Sequence, residues 1–149
     1  MVLTPREVAE RVRDMVAGEP GDDGRPIAFG DLFARDGVLR YPFAPPGTPQ
    51  ELRGREAIRD FHGRASRRRA LLDMDGVDLV VWRTDDPEVV VVEIEHYGRS
   101  QVLGGPYRFR ALGVIRVRNG EITSYDDYMD PIAQAALMGR TADLVAALT

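Results

Sequence analysis

The second half of the chain changes from helical to extended periodicity and stays extended over four segments. These segments, rich in β-branched and aromatic residues, are Val77–Trp82, Val89–Gly98, Tyr107–Val117 and Glu121–Met129. Short turn sequences separate them, and the last of these, Asn119-Gly120, is the strongest short-range signal for a hairpin. Strands joined by such short turns pair with their neighbours in antiparallel fashion. The sequence therefore predicts a four-strand antiparallel meander.

The first half of the chain is mainly helical. Thr4-Pro5-Arg6-Glu7 predicts a capping box at the start of an amphipathic helix. A short second helix is expected over Phe29–Phe33, closed near Gly37, followed by a strand at Val38–Phe43. The proline-rich segment Ala44–Pro49 predicts a loop. A further helix begins around Arg55, and its inner face is expected to carry Ile58, Phe61, His62 and Ala65.

The end of the chain returns to helix. Asp130-Pro131 offers an N-cap residue followed by proline at the first helical position. Two short helices are expected beyond it, Ile132–Leu137 and Thr141–Leu148. Helices before and after a meander predict an α+β fold in which a curved antiparallel sheet is covered by helices.

Composition limits what the chain can do. With 149 residues, 44% of them hydrophobic, it fits one domain spanning 1–149. It has no cysteine and a net charge of −4, so neither thiolate chemistry nor nucleic-acid binding is expected. A charged N-terminus and the lack of any long apolar run predict a cytoplasmic protein that does not enter a membrane. The two histidines show no metal-site spacing and no phosphate-binding loop is present, so no cofactor and no metal is expected.

Alternation along the strands predicts which side chains face inward. In the second strand of the meander the apolar set is Val90, Val92 and Ile94, and it continues to His96. In the third strand the inner set is Tyr107, Phe109, Ala111, Gly113 and Ile115. The outer face then carries charges of both signs and one tyrosine: Glu93, Glu95, Tyr97, Arg99, Arg108, Arg110, Arg116 and Arg118. Because a patch with both signs can complement a second copy of itself, we expect a homodimer through this outer sheet face.

The last strand brings an acidic residue into the interior. One face of this strand carries Tyr125, Asp127 and Met129. The other carries Asp126, Tyr128 and Asp130. Asp130 is needed for capping, which favours the first set inside. A carboxylate in an apolar interior is costly unless it is partnered or used. Asp127 and His96 are therefore the candidate catalytic residues.

Other residues are candidates for contact with a ligand. Tyr41, Tyr107 and Tyr125 can offer phenolic donors, and Phe109 and Met129 apolar surface, to a small hydrophobic metabolite. His62 either lines the same cavity or lies at its rim, and the rim is slightly favoured. The run Arg67–Arg69 is interpreted as a solvated helix end, with contact to an anionic substrate tail as the alternative.

Three segments carry a resemblance to a known family. They are DLFARDGVLRYPFAPPG at Asp31–Gly47, GREAIRDF at Gly54–Phe61 and ALGVIRVRNGEITSYDDYMDP at Ala111–Pro131. The chain resembles the SnoaL-like polyketide cyclases, which share the cone-shaped fold of nuclear transport factor two and ketosteroid isomerase. That resemblance implies a pocket enclosed by sheet and helices. It also places the family's acid/base aspartate seven residues after the hairpin glycine Gly120, at Asp127.

Limonene epoxide hydrolase is a second family that the last hairpin resembles. Its water-activating aspartate also falls on Asp127. Its second aspartate falls on His96 and its arginine on Ile94, so the aspartate–arginine–aspartate arrangement is absent.

Three functions are compatible with these features. The first is a cofactor-independent cyclase, isomerase or dehydratase that uses acid–base chemistry on a polyketide-like or other carbonyl-bearing metabolite. The second is an epoxide hydrolase or epoxide-opening cyclase that keeps Asp127 and uses His96 or a tyrosine in place of the missing arginine. The third is a non-catalytic ligand-binding or dimerisation domain.

Overall fold

The computed structural model describes residues 1–149, apart from the side chain of residue 68. Its helices and strands follow the order expected from the sequence, with one short edge strand in addition. The four helices are α1 (Pro5–Ala17), α2 (Arg55–Ser66), α3 (Pro131–Leu137) and α4 (Thr141–Leu148), and single 3₁₀ segments cover Phe29–Leu32 and Arg67–Leu71. The six strands are β1 (Phe33–Arg40), β2 (Glu51–Arg53), β3 (Leu72–Arg83), β4 (Val89–Ser100), β5 (Gly105–Arg118) and β6 (Glu121–Met129).

All six strands form one curved sheet in the order β2-β1-β6-β5-β4-β3. The meander β3–β6 is antiparallel throughout, and β2 pairs antiparallel with β1. β1, however, runs parallel to β6. The α+β class is therefore confirmed, whereas the fully antiparallel sheet was wrong in this one pair. Alternation of side chains is the same for both pairing directions, so the sequence pattern could not show how a strand docks on a partner some 85 residues later in the chain.

The first strand differs most from its predicted position. It begins at Phe33, directly after the 3₁₀ segment, and ends at Arg40. Phe33 is completely buried, and the pairing register with β6 shifts between Phe33 and Val38. This bulge breaks the alternation that would have marked an early strand. The three-residue edge strand β2 was missed because it is too short to show a period.

The turns and caps confirm their sequence signals. Asn119 and Gly120 have φ angles of 54° and 78°, as a tight hairpin requires. Thr4 and Glu7 form the reciprocal capping box of α1. Asp130 Oδ1 accepts hydrogen bonds from the backbone amides of Ile132 and Ala133 at 2.9 and 3.2 Å, so this carboxylate is used to start α3.

The core lies between α1 and the concave face of the sheet. α1 buries Val8, Ala9, Val12 and Met15 there. The alternation predicted for β4 and β5 is confirmed, because inward residues such as Val92 and Ile115 are fully buried. Their outward neighbours carry the charges, which pair within the chain: Glu95 accepts from both Arg108 and Arg110. Across the described residues, the helices are all too short or too polar to span a bilayer.

Candidate active site

A cavity of about 620 Å³ opens between the concave sheet face and the helices. Strands β4, β5 and β6 form its floor, and α1 and α2 form one wall. The proline-rich segment 45–49 and the two C-terminal helices surround its mouth. Its size is in the range that takes a small metabolite.

Asp127 projects from β6 into this cavity. It lies opposite Gly113 of β5, and a Cβ on Gly113 would come within 2.9 Å of the Tyr125 ring. The missing side chain thus leaves room for the tyrosine beside the carboxylate. The preceding residue, Asp126, points to the other face, where Arg40 donates a hydrogen bond to it at 3.1 Å. Two adjacent aspartates therefore have opposite environments, one paired and one enclosed.

The Asp127 carboxylate has no partner among the described side chains. Its Oδ1 is shielded from solvent and makes no hydrogen bond. Burial raises the pKa of Asp127 from its ordinary value of 3.8 to about 7. A carboxyl group with a pKa near neutrality can both accept and return a proton under physiological conditions.

Two tyrosines lie close to this carboxylate. Tyr41 and Tyr125 are buried and line the cavity. Burial, followed by the nearby charge of Asp127, raises the pKa of both phenols, so they stay protonated. The Tyr125 ring is held by Phe29, with ring centroids 5.5 Å apart. Both hydroxyl groups are therefore candidate hydrogen-bond donors beside Asp127.

His96 lies in the cavity wall on β4. Its Nδ1 is hydrogen-bonded to the Tyr107 hydroxyl at 2.9 Å, and its ring packs on Phe109 with centroids 5.4 Å apart. Burial, and then the charge of Arg69, lowers the pKa of His96 to about 4. The imidazole is therefore neutral at pH 7. Because a hydroxyl can donate or accept, the bond to Tyr107 is compatible with either neutral tautomer.

Tyr107 was expected to contact a ligand, and the structure places it elsewhere. It is not part of the cavity lining. It is buried in a separate apolar cluster with Phe109 and Leu137, and its hydroxyl is occupied by His96. Its position behind the histidine suits it to orient His96 rather than to touch a substrate.

Asp127 and His96 line the same cavity without touching each other. Asp127 is opposite Gly113, which is opposite Val92, whereas His96 lies four residues further along β4. At about 3.3 Å per residue this offset is about 13 Å along the strand, in addition to two strand spacings. In keeping with this, the pKa of Asp127 is raised by burial alone, and that of His96 is lowered by burial and Arg69. The structure gives no direct carboxylate–histidine pair.

His62 lies in the wall of the cavity, so the preference for the rim was wrong. Its ring packs on Phe29 with centroids 4.8 Å apart. Burial, followed by the charge of Arg69, lowers its pKa to about 4. The expected apolar contacts Phe109 and Met129 also line the cavity.

Arg69 is a functional candidate that the sequence interpretation gave only as the less favoured alternative. It was assigned to a solvated helix end, yet it lines the cavity and its Nη1 donates to the backbone oxygen of Val16 at 3.1 Å. Arg67 is exposed as expected, and the side chain of Arg68 lies outside the described part of the chain. The signal was present, because Arg69 follows His62 and Ser66 at positions i+7 and i+3, which continues one helical face.

Acidic and imidazole groups are spread through the site rather than clustered. Among the described residues, no three of them come together in a way that could hold a metal ion. Asp143 of α4 also lines the cavity, and its carboxylate forms an ion pair with Arg140 at 2.9 Å.

This fold, a curved six-strand mixed sheet covered by helices, is that of the ketosteroid isomerase-like and nuclear transport factor two-like proteins. A family model described as SnoaL-like domain matches residues 11–125. The chain belongs to the SnoaL-like family.

Relatives with similar sequences come from several bacteria. The chain is 31% identical over 118 residues to an uncharacterised PhzA/B-like protein of Pseudomonas aeruginosa, covering 79% of this chain and 82% of that one. Among solved structures, a candidate isomerase of Bacillus subtilis is 26% identical with a TM-score of 0.72, covering 93% and 97% of the two chains. A protein of Catenulispora acidiphila with a ketosteroid isomerase-like fold, solved in complex with trimethylamine, is 25% identical with a TM-score of 0.63, covering 95% and 98%.

Proposed function

We propose that this protein is a cofactor-independent acid–base enzyme that isomerises, cyclises or dehydrates a carbonyl-bearing metabolite. The observation that carries the proposal is the Asp127 carboxyl group, enclosed in the cavity without a hydrogen-bond partner on Oδ1 and with its pKa raised to about 7. A group that only stabilised the fold would be paired, as Asp126 is. An unpaired one is available to a substrate.

The chemistry starts with proton abstraction. Ionised Asp127 takes a proton from a carbon next to the substrate carbonyl, and the electron pair of that C–H bond moves into an enolate. Tyr41 or Tyr125 donates its O–H to the developing enolate oxygen. Protonated Asp127 then returns the proton to another carbon in an isomerisation, or to a departing hydroxyl group in a dehydration. In a cyclisation the enolate carbon attacks a second carbonyl, and Asp127 protonates the alkoxide formed.

The surroundings of Asp127 suit this chemistry. The walls beside it are apolar and aromatic, with Phe29 and Met129 among the lining residues. Low polarity keeps the pKa of the carboxyl group close to the working pH and strengthens hydrogen bonds to an enolate. The tyrosines remain protonated because burial and the charge of Asp127 both raise their pKa.

The relatives support a role in small-molecule metabolism. The Bacillus subtilis structure is described as that of a candidate isomerase, and the Pseudomonas aeruginosa relative is named for its likeness to PhzA/B proteins. The epoxide-opening alternative receives no comparable support. Ile94 stands at the position of that enzyme's arginine, and no described basic side chain forms an ion pair with Asp127.

Deuterium exchange tests the first chemical step without knowledge of the full reaction. We would incubate a panel of cyclic and linear ketones, including β-diketones and β,γ-unsaturated ketones, with the protein in heavy water and follow loss of the α-proton signals by NMR. Catalysed exchange is expected with the wild type. Asp127→Asn should lower its rate by about 10²–10⁴-fold, the usual contribution of a general base.

Asp126→Asn is the matched control, because it makes the same change one residue away on the opposite face of the strand. It should leave the exchange rate within about twofold of the wild type. Exchange should increase with pH through about 7 as Asp127 ionises. Equal exchange by the wild type and Asp127→Asn would contradict the proposal, and binding of the ketones without any exchange would favour the ligand-binding alternative.

His96→Gln separates two roles for the histidine. If His96 only positions the substrate, this variant should weaken binding and leave the pH profile of exchange unchanged. If His96 transfers a second proton, exchange into the α-carbon should persist while product formation fails. Tyr107→Phe should reproduce a weaker form of either effect, since it removes the hydrogen bond that holds the ring.

A further inference from the structure

The end of the cavity away from Asp127 contains a half-buried positive charge. Arg69 lies in the 3₁₀ segment after α2, and its guanidinium reaches the last turn of α1, where Nη1 donates to the Val16 backbone oxygen at 3.1 Å. That carbonyl is the one acceptor that the structure gives it among the described residues. A guanidinium has five N–H donors, so Arg69, which lines the cavity, has donors left for a ligand.

Among the described residues, no acidic side chain pairs with this charge. Within the part of the chain that the structure describes, Arg69 forms no ion pair, whereas most of the other buried or half-buried arginines do, including Arg13, Arg40 and Arg55. The groups around it are His62, His96 and the Tyr107 hydroxyl, and its charge acts on the pKa of all three. Burial lowers the pKa of Arg69 itself, although a guanidinium stays protonated. A partly desolvated cation without a counterion has lost hydration that an anion bound in the cavity would replace.

We propose that Arg69 binds a carboxylate of the substrate, so that the natural ligand is an organic acid with its reactive carbonyl at the Asp127 end. The position of the reactive carbonyl rests on the proposed function. The carboxylate site rests on the geometry of Arg69 alone. The cavity then has two chemically distinct ends, a cationic end that anchors the ligand and an acid–base end that acts on it.

The charge balance favours a carboxylate over a phosphate ester. Arg69 is the one cavity-lining cation, in the described region, without a counterion, because Arg140 is paired with Asp143. His62 and His96 are neutral at pH 7 and add hydrogen bonds but no charge. One guanidinium matches one carboxylate in a bidentate pair, whereas a dianionic phosphate would leave a charge unpaired in an apolar site.

The position of the two ends also limits the shape of the acid. His96 is close enough to Arg69 for its pKa to respond to that charge. On the sheet, His96 lies on β4, two strands from β6, and four residues beyond the residue that is level with Asp127. The carboxylate and the reacting carbon must therefore be separated by several bonds. Short oxo acids, whose carbonyl is next to the carboxylate, do not meet this requirement.

Pairs of an acid and its uncharged amide test the site directly. The probes are acetate against acetamide and benzoate against benzamide, titrated into the full chain and followed by NMR signals of arginine side chains and by calorimetry. We expect the acid of at least one pair to bind about tenfold or more tightly than its amide and to shift the Arg69 Nε–H signal. Arg69→Gln should abolish that preference by weakening acid binding about 10- to 100-fold.

Two variants complete the design. Arg69→Lys keeps the charge and should retain a reduced preference for the acid, which also covers the case in which Arg69→Gln fails to fold. Arg64→Gln is the matched control, because Arg64 is an exposed arginine on the preceding helix that does not line the cavity. It should bind both acids as the wild type does.

The proposal is overturned if neither acid is preferred over its amide by the wild type, or if Arg69→Gln keeps the preference. Asp127→Asn distinguishes this failure from failure of the proposed function. It should bind the acids at least as tightly as the wild type and yet catalyse deuterium exchange about 10²–10⁴-fold more slowly. Acid binding without exchange in the wild type would leave the carboxylate site standing and contradict the acid–base function alone.

Discussion

Replacing Asp127 by asparagine should make the protein more stable at alkaline pH, although it removes the proposed catalytic base. The carboxyl group has lost its hydration without gaining a partner on Oδ1, which raises its pKa from 3.8 to about 7. Above pH 7 the folded protein must hold this group as an anion in the cavity. Asparagine has nearly the same shape and no charge, so it removes that cost.

The size of the effect follows from the two pKa values. Between pH 3.8 and 7 the folded protein binds a proton that the unfolded chain has released, so stability is lost as pH rises through this window. A difference of about 3 in pKa corresponds to about 4 kcal/mol at pH 8. At pH 5 the raised pKa of Asp127 has lowered the free energy of unfolding by only about 1.6 kcal/mol. The advantage of Asp127→Asn should therefore grow by about 2.5 kcal/mol between pH 5 and pH 8.

His62 and His96 act in the opposite direction. Burial lowers the pKa of both from 6.5 to about 4, so the stability linked to them is present above 6.5 and is lost as pH falls toward 4. The wild-type profile alone is thus a sum of opposing trends. The histidines are unchanged in Asp127→Asn, so the difference between the two proteins isolates the carboxyl group.

Urea unfolding at pH 5 and pH 8 provides the measurement, with Asp126→Asn as the control. Asp126 is paired with Arg40, so its replacement should lower stability or leave it unchanged at both pH values. At pH 8 the melting temperature of Asp127→Asn should exceed that of the wild type by about 10 °C, from about 2–4 °C per kcal/mol for a chain of this size. A stability difference that does not change with pH would refute the argument, because it would show that Asp127 is not desolvated in the folded protein.

Three further changes test the fold and assembly. Gly113→Ala places a Cβ 2.9 Å from the Tyr125 ring, so it should cost about 1–3 kcal/mol in urea unfolding, and wild-type stability would contradict the close packing. Asp130→Ala removes the N-cap of α3 and should cost about 1 kcal/mol in thermal unfolding, with no loss if the cap is dispensable. We also propose a homodimer through the outer sheet face, where Trp82 and Leu112 are 56% and 40% exposed. Sedimentation at micromolar concentration should then give twice the 16.6 kDa chain mass, and Trp82→Glu should give the monomer; a monomeric wild type would exclude the dimer.

Local patterns in the sequence were enough to predict the meander and the inward position of Asp127. The hairpin at Asn119-Gly120 sets the register of β6, and the need of α3 for Asp130 as its N-cap selects the face on which Asp127 lies. Both signals lie within a few residues of β6. The alternation of side chains along the strand then determines which face each of its residues occupies. The family resemblance led to the same aspartate.

Only the tertiary structure decided how the remaining side chains meet. The parallel pairing of β1 with β6 joins segments far apart in the chain, and alternation does not encode its direction. Tyr107 and His96 are both inward-facing, yet the hydroxyl is buried behind the imidazole because it packs with Leu137 from the C-terminal region. The helical face that Arg69 shares with His62 indicated its direction. Its contact with Val16 at the end of α1, 53 residues earlier, depends on the 3₁₀ segment after α2, and no local period could reveal it.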